Sequence, residues 1–205
     1  MIDPVDVVIP ARNEEKTIGQ ICNILSSHLL VKNIIVVCDS CKDDTDLEAW
    51  KHGADIVLSR EYNNKGQTVM AGLAHVVTDR VMLMDADLTR LTHMHVTDLI
   101  GGTALSELTG MRIGVPDLDP GLPYTRDWAW PWVSGQRIVP APLARSLKLH
   151  GYLMETQINA AAHRANLPVS FAWLTGLKSS YNMTERRLSE MTRDLEYGKQ
   201  NGILL

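Results

Sequence analysis

Short, unbroken apolar runs alternate with amphipathic stretches along the first ninety residues. Val5-Asp6-Val7-Val8-Ile9, Asn33-Ile34-Ile35-Val36-Val37, Asp55-Ile56-Val57-Leu58 and Arg80-Val81-Met82-Leu83-Met84 are too short for core helices. They are also too uniformly apolar for strands wet on one face, so they predict strands of a parallel sheet covered on both sides. Pro10 is expected to stop the first. Between the runs the period changes. Ile18, Ile21, Leu25 and Leu29 fall on one helical face, with Asn13 as a plausible N-cap. A second helix is expected over Asp46–His52, closed by Gly53. A third, Gln67–Val77, opens from the turn Asn63-Asn64-Lys65-Gly66. The order β-α-β-α-β-α-β predicts an α/β fold with a doubly wound sheet.

The second half is less regular. Met111–Val115 and Pro168–Leu174 read as strands. A segment carrying Leu143 and Leu147 on one face follows Ser134-Gly135-Gln136-Arg137, and a helix runs from Gly151-Tyr152-Leu153-Met154-Glu155 through Ala165. Residues 116–132 hold Asp117, Asp119, Trp128, Trp130 and Trp132 and predict an irregular loop over the ligand crevice. Those tryptophans suit stacking on a sugar or base, and equally suit anchoring the loop. Leu188, Met191 and Leu195 mark a closing amphipathic helix, with Arg186, Arg187 and Arg193 off its apolar stripe.

Composition narrows the class without naming a chemistry. The 205 residues are 45% hydrophobic and 21% charged, with formal net charge −4. That provides no global attraction to nucleic acid or anionic membrane. Three cysteines (Cys22, Cys38, Cys41) make no disulfide framework, which points to a reducing compartment. The start has neither a basic n-region nor an apolar core of signal-peptide type, and no apolar stretch reaches spanning length. The expectation is a cytoplasmic protein with at most peripheral membrane contact.

The chemistry gathers at the carboxyl ends of the expected strands, where open α/β sheets bind ligands. Four loops meet there: Pro10–Glu14, Asp39–Thr45, Lys65-Gly66 and Asp85–Asp87. Asp85 and Asp87, at i and i+2, can point at one hard cation, and such a cation would hold phosphate oxygens. Lys65 at a helix N-terminus is a reasonable phosphate contact. Neither a Gly-x-Gly-x-x-Gly nor a Walker loop is present, which disfavours nicotinamide dehydrogenases and P-loop NTPases. Glu155, a lone acid opening an alanine-rich helix, is a candidate general base, or simply an acid favoured by the helix dipole. His93 and His95 read as structural or solvated residues before metal ligands. Cys38-x-x-Cys41 resembles a redox or zinc pair, but without a second pair at finger spacing zinc is disfavoured.

In order and spacing, Val-Val-Ile-Pro-Ala-Arg-Asn-Glu-Glu, Ile-Val-Val-Cys-Asp-Ser-Cys-Lys-Asp-Asp-Thr, Asn-Lys-Gly and Met-Asp-Ala-Asp-Leu resemble the GT-A-fold nucleotide-sugar glycosyltransferases. The nearest group holds the polyprenyl-phosphate sugar transferases and glucosyl-3-phosphoglycerate synthase. The resemblance implies a single GT-A (Rossmann-like) domain with a mostly parallel sheet. Residues 1–100 would form its nucleotide-sugar half and 101–205 its acceptor half. It also implies roles. Pro10, Ala11, Asn13 and Glu14 would contact base and ribose. Asp39 would bind the base, and Lys65 and Gly66 would lie near the diphosphate. Asp85, Ala86 and Asp87 form the Asp-x-Asp, whose carboxylates would hold a divalent cation, magnesium or manganese. Gly135 matches the acceptor-side glycine, with Gln136, Arg137 and Trp132 beside it, and Glu155 matches the acid that supplies the base in inverting members. Relatives offer a further metal-binding histidine near the C-terminus. Gly176-Leu177-Lys178 has none, and Lys178 would instead neutralise diphosphate.

The expected donor is a nucleotide-diphosphate sugar, a UDP-sugar first. The acceptor is open among a small phosphorylated molecule, a lipid phosphate and a hydroxymethylated nucleic-acid base, as is assembly into a homodimer. A sugar-phosphate nucleotidyltransferase would want glycines after the first strand, which Pro10-Ala11-Arg12-Asn13 lacks. A non-catalytic nucleotide-sugar-binding module would have no need of Asp85, Asp87, Lys65 and Glu155 together.

Overall fold

Strands buried on both faces need an apolar side chain at nearly every position, and the central strands meet that demand. The structure, a computed structural model, describes residues 2–101, 109–117, 132 and 134–179. In β1 (Val5–Ala11), Val5, Val7 and Ile9 pack on one side of the sheet and Val8 on the other. β2 (Val31–Asp39) divides likewise, Ile34, Val36 and Cys38 against Ile35 and Val37. β4 (Arg80–Leu83) contributes Met82 to the first layer and Val81 and Leu83 to the second. The period of two is therefore present but invisible in hydrophobicity, because both faces are dry.

β3 (Ile56–Arg60), β6 (Met111–Pro116), β7 (Arg137–Pro140) and β8 (Val169–Leu174) complete a seven-stranded sheet in the order β3-β2-β1-β4-β7-β6-β8. All pairings are parallel except those of β7, which lies antiparallel to β4 and β6. α1 (Ile18–Ser26) and α4 (His93–Ile100) cover one face. α3 (Lys65–Leu73), α5 (Ala141–Ser146) and α6 (Met154–Arg164) cover the other. α2 (Thr45–Lys51) packs beside α1. A separate two-stranded ribbon joins β5 (Leu88–Thr89) to β9 (Lys178–Ser179). The mostly parallel α/β architecture expected from the sequence is present. Among the described residues no helix is long and apolar enough to cross a membrane.

Several boundaries differ from expectation. β1 runs through Pro10 to Ala11. Val8 directs its carbonyl to Met84, so Pro10, two residues on, faces the same side, where the ladder with β4 has already ended. A missing N–H therefore costs the sheet nothing. Asn13 does not cap α1. It adopts φ 57° and its Oδ1 accepts from the Lys42 N–H, while Thr17 is the cap residue. Leu29 lies beyond the helix end and is 95% exposed. α3 starts two residues earlier than expected, capped by Asn64, whose side chain accepts from the Gln67 N–H. The sequence shows no sign of β5, β7 or β9, since two to four residues cannot establish a period. Asp119, Trp128, Trp130, Arg186, Arg187, Leu188, Met191, Arg193 and Leu195 lie outside the described residues.

Gly66 places α3 against the chain ahead of α6. A Cβ there would lie 2.5 Å from the Leu149 carbonyl carbon and 2.6 Å from the His150 nitrogen, and backbone cannot step aside as a side chain can. Gly66→Ala should cost about 1–3 kcal/mol of unfolding free energy. Leu29→Lys should change it by less than about 0.5 kcal/mol. Urea denaturation of both variants checks the pair.

Candidate active site

At the carboxyl end of β2, the buried carboxylate of Asp39 organises one wall of the crevice. Its oxygens accept from the backbone N–H groups of Tyr62, Asn63 and Asn64 at 2.8–3.1 Å and from the hydroxyls of Thr68 and Ser40. Arg12 adds an ion pair at 3.0 Å and donates to the Asp39 carbonyl. Burial pushes the Asp39 pKa up. The Asn63 N–H, the Arg12 charge and the two hydroxyls outweigh it, so the net shift is downward. One carboxylate thus ties the first loop to the turn that starts α3.

The other wall centres on Lys65. Its ammonium lies 2.9 Å from Asp85 Oδ1 and 3.0 Å from Glu155 Oε1, with about a quarter of the side chain exposed. Burial works against its charge, but Asp85 and then Glu155 more than compensate and hold its pKa above the usual lysine value. Asp85, past the end of β4, takes a second contact from Gln136 Nε2 at 3.0 Å. Gly135 makes room for that carboxylate, since a Cβ there would fall 2.2 Å from Asp85 Oδ2. The residues expected at the diphosphate, the metal and the base therefore touch one another across 90 positions of sequence.

Arg137 is differently employed from an open acceptor contact. Its guanidinium is completely buried, and it donates through Nε to the Ser134 carbonyl, through Nη1 to the Glu155 carbonyl and Asn159 Oδ1, and through Nη2 to the Ser134 and Trp132 carbonyls. Five N–H donors meet five contacts, leaving none for a ligand. Burial lowers its pKa, against the opposing effect of Glu155 and Asp85. Arg137 clamps Trp132 and Ser134 onto the start of α6. Trp132 sets its ring edge-on against Phe171, centroids 5.1 Å apart, and stays partly exposed.

The remaining candidates divide. Pro10 and Ala11 end β1, and the Glu14 N–H donates to the Thr45 hydroxyl. The Ala86 carbonyl accepts from the Thr17 hydroxyl at 2.7 Å, which pins the Asp-x-Asp turn to the cap of α1. Asp87 is buried. Lys178 is exposed on β9, in register with Thr89 two residues after Asp87. His93 bonds the Ser27 hydroxyl and His95 the Thr175 carbonyl, so neither is directed at the carboxylates. Sequence reasoning missed Arg12, Asn64 and Thr68 as builders of the site. Their partner Asp39 is 25–29 residues away from each in sequence, and no local pattern marks them.

With this geometry in view, the kinship is legible. Residues 6–101 match glycosyl transferase family 2. Over 110 residues the chain is 31% identical to the 4,4'-diaponeurosporenoate glycosyltransferase of Staphylococcus aureus. That match takes in 51% of this chain and 29% of the enzyme, so it spans under a third of the relative's length. Glucosyl-3-phosphoglycerate synthase of Mycobacterium tuberculosis, solved with Mn2+ and UDP-glucose, superposes with TM-score 0.80 at 24% identity, covering 94% of this chain and 76% of that one. The same enzyme with Mn2+, UDP and glucosyl-3-phosphoglycerate has TM-score 0.79 at 25% identity, covering 93% and 76%. The chain has the GT-A fold, and its first half is similar in sequence to glycosyl transferase family 2.

Because Asp39 has a lowered pKa when folded, it stabilises the protein above its unfolded value of about 3.9. The contribution should disappear as pH falls through the lower folded value. Asp39→Asn should therefore be less stable than the parent at neutral pH, with the gap in urea midpoint closing as the buffer is taken below about pH 4. A gap constant with pH would mean that the lost hydrogen bonds carry no charge dependence.

Proposed function

We propose that this chain is a glycosyltransferase that moves a sugar from a nucleotide-diphosphate sugar, a UDP-sugar first, to an acceptor hydroxyl or phosphate. The observation that carries the reading is the bridge of Lys65 between Asp85 and Glu155. It brings a diphosphate-facing cation, a metal-facing carboxylate and a candidate base to one point. The solved relative's complexes with UDP-glucose and with UDP and glucosyl-3-phosphoglycerate support both the donor and a phosphorylated small acceptor.

The donor set at Asp85 and Asp87 fits a hard divalent cation. Among the described residues no three His, Cys, Asp or Glu side chains gather as a protein cage. Two carboxylates completed by phosphate oxygens and water are what magnesium and manganese accept. Such an ion, when bound, supplies Lewis-acid stabilisation of the departing diphosphate. Mg2+ and Mn2+ both occur with UDP in the solved relative.

The chain's own groups account for the remaining steps. Asp39, through the 62–64 turn and Arg12, shapes the wall that a base and ribose would meet. The Lys65 ammonium, bound to Asp85, would neutralise part of the charge developing on the diphosphate, and Lys178, opposite Thr89 on β9, would add to it. Glu155 takes the proton of an acceptor hydroxyl as it attacks the anomeric carbon. Arg137 grips the Glu155 carbonyl and keeps the start of α6 against the acceptor-side segment. Preorganisation of this kind is paid for in folding, so little rearrangement is left for the reaction itself.

A thermal-shift panel of UDP, GDP, UDP-glucose and GDP-mannose, each with Mn2+ or EDTA, tests the donor. A uridine nucleotide should raise the melting temperature in Mn2+, and EDTA should abolish the shift. No shift with any nucleotide would overturn the reading. Asp87→Ala should lose the Mn2+ dependence of UDP binding by titration calorimetry, whereas unchanged binding would remove the cation from this site. Glu155→Gln should lower turnover by about 10²–10⁴-fold with UDP affinity retained, and a near-normal rate would exclude Glu155 as the base.

A further inference from the structure

Beside the first loop, Cys38 and Cys41 form a reactive pair that the transfer reaction does not use. Cys38 is the next-to-last residue of β2, paired with Ala11 and almost wholly buried. Ser40, at φ 59°, turns the chain so that Cys41 comes back over the strand end. There the Cys38 thiol and Cys41 share a side-chain hydrogen bond. Cys41 Sγ also donates to the Ala11 carbonyl at 3.6 Å, and the Asn13 N–H lies against it. Cys41 is partly exposed.

Two thiols at i and i+3 that share a hydrogen bond and both lie against Ala11 are placed to close to the ~2.05 Å of a disulfide. Their chemistry is graded. Donation from Cys38 brings Cys41 down to about 7, against the effect of burial, which favours the attacking thiolate form. That same donation, followed by burial and the nearby Asp46 and Asp43 charges, pushes Cys38 up. Cys22, in the α1 core, is pushed up to about 12 by burial alone. Zinc does not account for the pair, since no third ligand lies with it among the described residues.

We propose that Cys38 and Cys41 form a thiol–disulfide site that takes low-molecular-weight disulfides and, once closed, weakens nucleotide binding at the adjoining loop. The Cys41 thiolate attacks one sulfur of oxidised glutathione, forming a mixed disulfide and releasing a glutathione thiolate. Capping Cys41 ends the contact that most raised Cys38. Cys38 gives its proton to the departing thiolate or water and attacks Cys41 Sγ, releasing the second glutathione. The protein dithiol has lost two electrons and two protons, and glutathione disulfide has become two glutathione thiols. Closure draws Cys41 off the Ala11 carbonyl and the Asn13 N–H, which belong to the loop assigned to base and ribose. This second effect rests on the proposed function, whereas formation of the disulfide does not.

The full chain is incubated with oxidised glutathione at neutral pH, then alkylated, mapped by mass spectrometry and titrated with UDP. The expected product has lost two hydrogens, with Cys38 joined to Cys41 and Cys22 alkylated only after unfolding. UDP affinity should fall about three- to tenfold, the size of a lost hydrogen bond or so, and dithiothreitol should restore it. Cys41→Ser should show neither change. Alkylation of Cys41 no faster than that of Cys22, or a lasting mixed disulfide in place of closure, overturns the site. Closure with unaltered UDP affinity overturns its coupling to binding. If the reduced protein binds no UDP either, the proposed function fails, while the mass measurement still decides the disulfide.

Discussion

A lysine ammonium held between two acids is the contact on which the crevice depends. Lys65 opens α3, Asp85 follows β4 and Glu155 opens α6, so one cation joins three elements that approach the crevice from different directions. Each needs its own clearance. Gly66 lets α3 lie against Leu149 and His150, and Gly135 leaves room for the Asp85 carboxylate. Two carboxylates brought this close repel unless a cation sits between them, and a partly buried ammonium is costly unless acids surround it. The three charges make one another tolerable, and removing any of them leaves the other two in an environment built for three.

A second construction gives the walls their shape. Asp39 collects three backbone N–H groups, two hydroxyls and a guanidinium, and Arg137 collects the Trp132, Ser134 and Glu155 carbonyls. They are complementary solutions to one problem. Loops at a sheet edge carry backbone polar groups that the ladder does not satisfy. A buried anion gathers the stray donors at the end of β2, and a buried cation gathers the stray acceptors at the start of β7.

The sequence by itself determined the parallel core. Four apolar runs with helices between them can bury both faces only as a doubly wound sheet, and the sheet has that form. It also placed the polar loops together, because the carboxyl ends of parallel strands all open on one edge. Asp39, Lys65, Asp85 and Glu155 were all legible as polar residues directly after, or opening, apolar elements.

What only the tertiary structure decided was who touches whom. Arg137 read as a residue for the acceptor, yet it is entombed among carbonyls, because a charge leading into β7 must find internal partners once that strand is inserted between β4 and β6. Asn13 read as a cap, yet a left-handed turn sends its side chain to Lys42. β5, β7 and β9 are too short to announce themselves: β7 exists because β4 and β6 leave edges to pair, and β5 and β9 because the fold brings them together. Local pattern follows from the chain's own periodicity, whereas partners at separations of 25 to 90 residues follow from three-dimensional packing, which no window of sequence contains.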